Sequence, residues 1–108
     1  MSEWIERKTE DMQGARFWRW PREPGAVLEG ICLGRRVVNT RFGPRPVYDF
    51  ESGDGRVVGL FATGRLDRVL SALLSERGDG IELRVRFTGW TDTEQGRRRE
   101  FSVAYRAE

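Results

Sequence analysis

From Ile81 the chain alternates between apolar and polar positions, with Ile81, Leu83, Val85 and Phe87 set against Glu82, Arg84 and Arg86. A period of two sends successive side chains to opposite faces, so this stretch predicts a strand with one buried face. Phe101, Val103 and Tyr105 repeat the pattern in a last strand and are expected in the core with Phe87, beyond a polar loop from Thr91 to Gly96. Upstream, Ala26 to Val38 is a long β-rich run broken by Gly30 and Gly34, where a strand bends or bulges. Asn39 to Pro44 is turn chemistry, Val47 to Glu51 predicts a second strand, and Ser52-Gly53-Asp54-Gly55 is a tight turn into a third, Val57 to Thr63. Between these halves the period changes. Leu66, Val69, Leu70, Leu73 and Leu74 are spaced for one face of a helix, with Thr63 or Gly64 to cap its start and Gly78 to end it.

The resulting order is β-β-β-α-β-β, with the helix placed to plug one end of a small barrel. That order predicts a mainly β fold, a five-stranded OB-type barrel with one helix between its third and fourth strands. An SH3-like barrel normally lacks such a helix and is the weaker alternative. The barrel should occupy 25–108, preceded by an arm over 1–24 that carries Trp4, Phe17, Trp18 and Trp20 and ends at Pro21, Pro24 and Gly25. Trp18 and Trp20 are expected to clasp the barrel in preference to touching a ligand.

Length limits the chain to one domain, since halves of 108 residues would be too small to bury a stabilising core. Histidine is absent and Cys32 is the only cysteine, which removes a Cys/His zinc site, an intrachain disulfide and histidine acid/base catalysis. Cys32 reads as a small buried apolar residue. No nucleophile-and-base pair stands out, so an enzyme is not expected, and no cofactor is implied. Asp49, Glu51 and Asp54 lie beside a hairpin turn, where acidic residues are ordinary and a metal site is not expected. No apolar run reaches membrane-span length and the N-terminus has no signal-peptide pattern, so a cytoplasmic protein with no membrane partner is the default.

Net charge is only +2, yet the cations are unevenly placed and nearly all are arginine, whose planar fork both pairs with phosphate and stacks on a base. OB domains that bind oligonucleotides use the face of strands two and three and the loops joining strands one to two and four to five. Arg35, Arg36, Arg41 and Arg45 fall in the first of those loops. Arg84, Arg86, Arg97, Arg98 and Arg99 fall in the stretch that runs from Arg84 through the second loop to Arg99. These nine cations face two acidic residues, Asp92 and Glu94. Stacking surfaces are also present: Phe42 in the first loop, Trp90 at the second, and Phe61 on a strand. Strand parity places Tyr48, Phe50, Val58 and Leu60 inside, with Val47, Asp49, Val57 and Phe61 outside. Trp90 has an equal claim as a plug for the barrel end.

Phe17-Trp18-Arg19-Trp20-Pro21, Pro24-Gly25-Ala26-Val27-Leu28-Glu29-Gly30, Thr40-Arg41-Phe42-Gly43-Pro44, Asp54-Gly55-Arg56-Val57-Val58 and Gly64-Arg65-Leu66 together resemble small OB-fold single-stranded DNA-binding proteins of phage and mobile-element type. The resemblance implies DNA binding in replication, recombination or repair, often as a homo-oligomer. It departs from bacterial housekeeping single-strand binders in having no acidic tail after Tyr105, so recruitment by such a tail is not expected. The expectation is therefore a non-catalytic binder of single-stranded DNA with little sequence preference. Two alternatives stand beside it: single-stranded RNA binding on the same surface, and a protein–protein interaction module that presents its Trp-rich arm or a strand edge.

Overall fold

A computed structural model describes residues 16–106; Trp4 and the rest of the early arm lie outside the described residues. The elements are β1 (Arg16–Phe17), β2 (Val27–Thr40), β3 (Gly43–Glu51), β4 (Val57–Phe61), α1 (Gly64–Arg77), β5 (Ile81–Thr93) and β6 (Gly96–Tyr105). β2 to β6 form a five-stranded antiparallel sheet with the helix between its third and fourth strands, as the periodicity predicts. β1 adds a short parallel strand on the outer edge of β4, giving the order β1-β4-β3-β2-β5-β6. The sheet is open: β4 and β6, the pair that would close a barrel, share no ladder among the described residues.

The arm occupies that seam. Phe17 pairs with Gly59, and the Trp18 amide donates to the Gly59 carbonyl at 2.8 Å. Trp20 then reaches β5 and β6, with ring centroids 6.1 Å from Phe87 and 5.1 Å from Phe101. At Gly25 and Ala26 the chain bonds both backbone groups of Phe87 before entering β2. Trp18 and Trp20 pack edge to face on each other and against the core, the clasp expected of them.

Beneath the clasp, Leu28, Cys32, Tyr48, Phe50, Leu60, Leu83 and Val85 from one face of the sheet meet Leu66 and Leu70 of the helix. The helix obeys its spacing, with Thr63 as N-cap residue and Gly78 ending it at φ 87°. Burial raises the Cys32 thiol to about 11, keeping it neutral inside this core. Gly30 marks a close crossing: a Cβ there would lie 2.6 Å from the Glu51 carbonyl oxygen.

Three expectations are corrected. β3 starts at Gly43, ahead of Val47, because Pro44 and Pro46 are strand residues and not part of the turn. The Pro46 carbonyl accepts from Ala62, so the missing N–H of each proline faces away from β2 and costs no bond in that ladder. The polar loop from Thr91 to Gly96 shrinks to two residues, since β5 continues to Thr93 and β6 resumes at Gly96. Tyr105 is 41% exposed at the end of an edge strand, with the Arg77 guanidinium 4.3 Å from its ring centroid, and so lies outside the core.

Candidate nucleic-acid interface

Two bulges decide where the candidate side chains point. In β2 the register slips between Cys32 and Gly34, so Arg35 pairs with Tyr48 and shares its inward face. Arg35 Nε donates to Asp67 Oδ1 at 3.1 Å, and the Tyr48 hydroxyl donates to the same oxygen at 2.6 Å, tying the root of the β2–β3 hairpin to the first turn of α1. Burial and the Asp67 bond raise the Tyr48 hydroxyl to about 12. Burial raises the Asp67 carboxyl, but the bonds from Arg35 and Tyr48 outweigh it and hold the group below its ordinary value.

The second bulge lies between Phe87 and Gly89. Without it, residues 87 and 90 would face opposite ways; with it, Trp90 pairs with Arg99 on the side that carries Phe87 and Phe101. Trp90 meets Phe87 edge to face at 5.5 Å, and its indole Nε1 donates to the Arg22 carbonyl at 3.0 Å. It is therefore locked to the arm. Arg99 lies 4.6 Å from the Trp90 ring centroid and donates to the carbonyls of Trp20 and Pro21 at 3.3 and 3.4 Å, while Arg97 stands 4.8 Å from the Trp90 ring centroid.

A cleft of about 450 Å³ opens where the seam between β4 and β6 widens, its walls being the end of β4, the start of α1 and the β5–β6 hairpin. Phe61 and Trp90 both line it, together with Arg65, Arg97, Arg98 and Arg99; among the described residues Glu100 is its one carboxylate. Its ion pairs are loose: Arg65 and Arg98 sit 3.8 and 3.9 Å from Glu100, and Arg97 sits 3.8 Å from Asp92. Contacts of that length between exposed groups contribute little and leave the guanidinium forks open to another anion. On its other flank Phe61 stacks on Phe17 at 4.8 Å, each ring 37% exposed. Val47, on the same outward face as parity requires, is fully covered.

The remaining candidates lie outside the cleft. Arg36 makes a two-pronged pair with Asp49 at 2.7 and 3.0 Å, and Arg84 clasps Glu29 at 2.7 Å, so both forks are already occupied. Arg41 and Phe42 form the tip of the β2–β3 hairpin, Arg45 follows two residues after the turn, and Arg86 is exposed on the outer face of β5. The two arginine-rich stretches thus separate, the second building the cleft and the first forming a projecting hairpin. Asp54 is engaged by Ser52 and by the backbone of Arg56.

Sequence reasoning missed Arg65, and it placed Trp20 in the clasp without placing it in the cleft. Arg65 did carry a signal: a cation in the first turn of a helix opposes the helix dipole, a placement that suits a neighbouring anion. Nothing local placed Trp20 at the cleft, because its exact seat depends on a two-residue parallel pairing with no sequence pattern. Comparison with family models, with curated proteins and with solved structures returns no match.

Proposed function

We propose that this chain is a non-catalytic binder of single-stranded DNA with little sequence preference, built on an OB-type barrel whose seam is bridged by the N-terminal arm. The cleft carries this reading. It puts Phe61, Trp90 and four arginines against a single glutamate among the described residues, in a channel bounded by strands and a helix start. Arginine forks suit phosphodiester oxygens, and exposed rings accept any base, because every base has a flat π face. Trp90, with the Arg97 and Arg99 guanidinium groups 4.8 and 4.6 Å from its ring centroid, offers a cation–π stack against which a base can pack, and Phe61 offers a second ring on the opposite wall. Backbone contacts joined to stacking favour affinity without sequence choice.

The test is a labelled dT oligomer titrated at two salt concentrations. Binding is expected to weaken as salt rises, by about 0.7 log units per log unit of salt for each phosphate neutralised. Replacing Arg97 and Arg98 together by alanine should lower affinity and reduce that slope by about 1.4. Absence of binding at the lowest salt would overturn the proposal, and tighter binding of a matched RNA oligomer would reassign the cleft to RNA.

A further inference from the structure

Beyond Val47 the β2–β3 hairpin stands alone. β2 pairs with β5 only as far as Cys32, and β3 pairs with β4 only from Val47 onward, with one last bond from Ala62 to the Pro46 carbonyl, so among the described residues those from Val38 to Arg45 pair only with one another. This free ribbon is rigid at its end. The Thr40 hydroxyl donates to the Gly43 carbonyl at 2.7 Å and accepts from the Phe42 amide at 3.1 Å, while Gly43 takes the positive φ of 102° that the turn needs. Pro44 and Pro46 fix two further residues and leave the β3 edge of the ribbon without donors at those positions.

On this support Phe42 is 74% exposed, more than any other large apolar side chain described. The Arg41 guanidinium, 5.7 Å from its ring centroid, is its one ring-face neighbour among the described residues. No acidic residue occurs between Val37 and Tyr48, and neither Arg41 nor Arg45 pairs with a carboxylate among the described residues. A ring held at the end of a stiff ribbon with cations beside it matches a particular target. The last base pair of a duplex presents one flat apolar face with a phosphate chain on either side, and that face is open only at an end or at a single-strand junction. Apolar side chains are known to act on base stacks in this way, as wedges.

We propose that the β2–β3 hairpin is a junction probe: Phe42 stacks on the terminal base pair where duplex meets single strand, while Arg41 and Arg45 engage the two flanking phosphate chains. The inference rests on the single-strand reading of the cleft, which would hold the tail leading away from that junction.

Three labelled DNAs test it by fluorescence anisotropy: a dT strand, a blunt duplex, and the same duplex carrying that dT strand as a tail. The wild-type chain should bind the tailed duplex about tenfold more tightly than the strand, from one added base-stacking contact. Phe42→Ala should bring that ratio close to one, and Phe42→Trp should preserve it. Equal wild-type affinities for strand and tailed duplex would overturn the junction proposal while leaving the cleft reading intact. So would a ratio that survives Phe42→Ala. Failure to bind the dT strand strikes the cleft reading separately, and failure to bind any of the three overturns both. If Phe42→Ala leaves the ratio untouched but abolishes self-association in sedimentation, the tip is a protein contact instead.

Discussion

The β2–β3 and β5–β6 hairpins end in the same two-residue turn and meet opposite fates. In each, a threonine hydroxyl donates across the turn to a glycine carbonyl, Thr40 to Gly43 and Thr93 to Gly96, and accepts an amide from within the turn. Both glycines take positive φ. Yet the arm grips the β5–β6 hairpin through Trp90, Arg99 and Trp20, whereas the end of the β2–β3 hairpin extends free and is held only at its root by the Arg35–Asp67–Tyr48 cluster. Turn chemistry therefore sets where a ribbon reverses, and residues elsewhere in the chain determine whether it packs or projects. The packed ribbon walls a cleft; the projecting one presents its tip.

Cutting the grip should have the largest effect. Trp20→Ala removes the ring between Phe87 and Phe101 and is expected to cost about 3 kcal/mol in urea unfolding, in the range for large aromatic truncations. Amide exchange should speed up in β5 and β6 beyond Phe87 and stay unchanged between Val37 and Pro46. Equal acceleration in both hairpins would show that the arm stabilises the sheet generally and does not hold one ribbon in particular.

A smaller effect sharpens the likeness. Thr40→Val and Thr93→Val each delete one turn hydroxyl and should each cost about 1 kcal/mol. A much larger loss at Thr93 would mean that the anchored ribbon depends on its turn more than the free one does.

The smallest effect concerns the root of the free hairpin. Because the Asp67 carboxyl is held below its unfolded value, its contribution is present above about pH 3.9, the ordinary aspartate value, and fades as pH falls through the lower folded value. Asp67→Asn should lower stability at neutral pH and flatten the acid limb of the stability curve. An unchanged acid limb would show that the cluster does not fix the root.

Much of the architecture was legible because two periods dominate the chain. Alternation placed Leu83, Val85 and Phe87 inside, the helical spacing placed Leu66 and Leu70 on the buried face, and parity correctly put Tyr48 and Phe50 within and Phe61 without. What escaped has a common cause. A bulge shifts register without altering composition, so the inward turn of Arg35 and the alignment of Trp90 with Phe87 could not be read locally. Pro44 looked like a turn residue because a proline's tolerance in a strand depends on which edge is vacant. Phe61, Trp90 and Arg97 to Arg99 emerged as one cleft, but Arg35, Arg36 and Arg84 are engaged by carboxylates that lie far off in sequence or across a strand pair.

The seam-filling arm also bears on how the molecule comes into being. Trp20 leaves the ribosome well before its resting places on Phe87 and Phe101, so the indole must wait in solvent while the sheet grows behind it. Contacts so distant along the chain are slow to form, and until they do the nascent protein has an unsealed flank that invites a chaperone or a neighbouring chain.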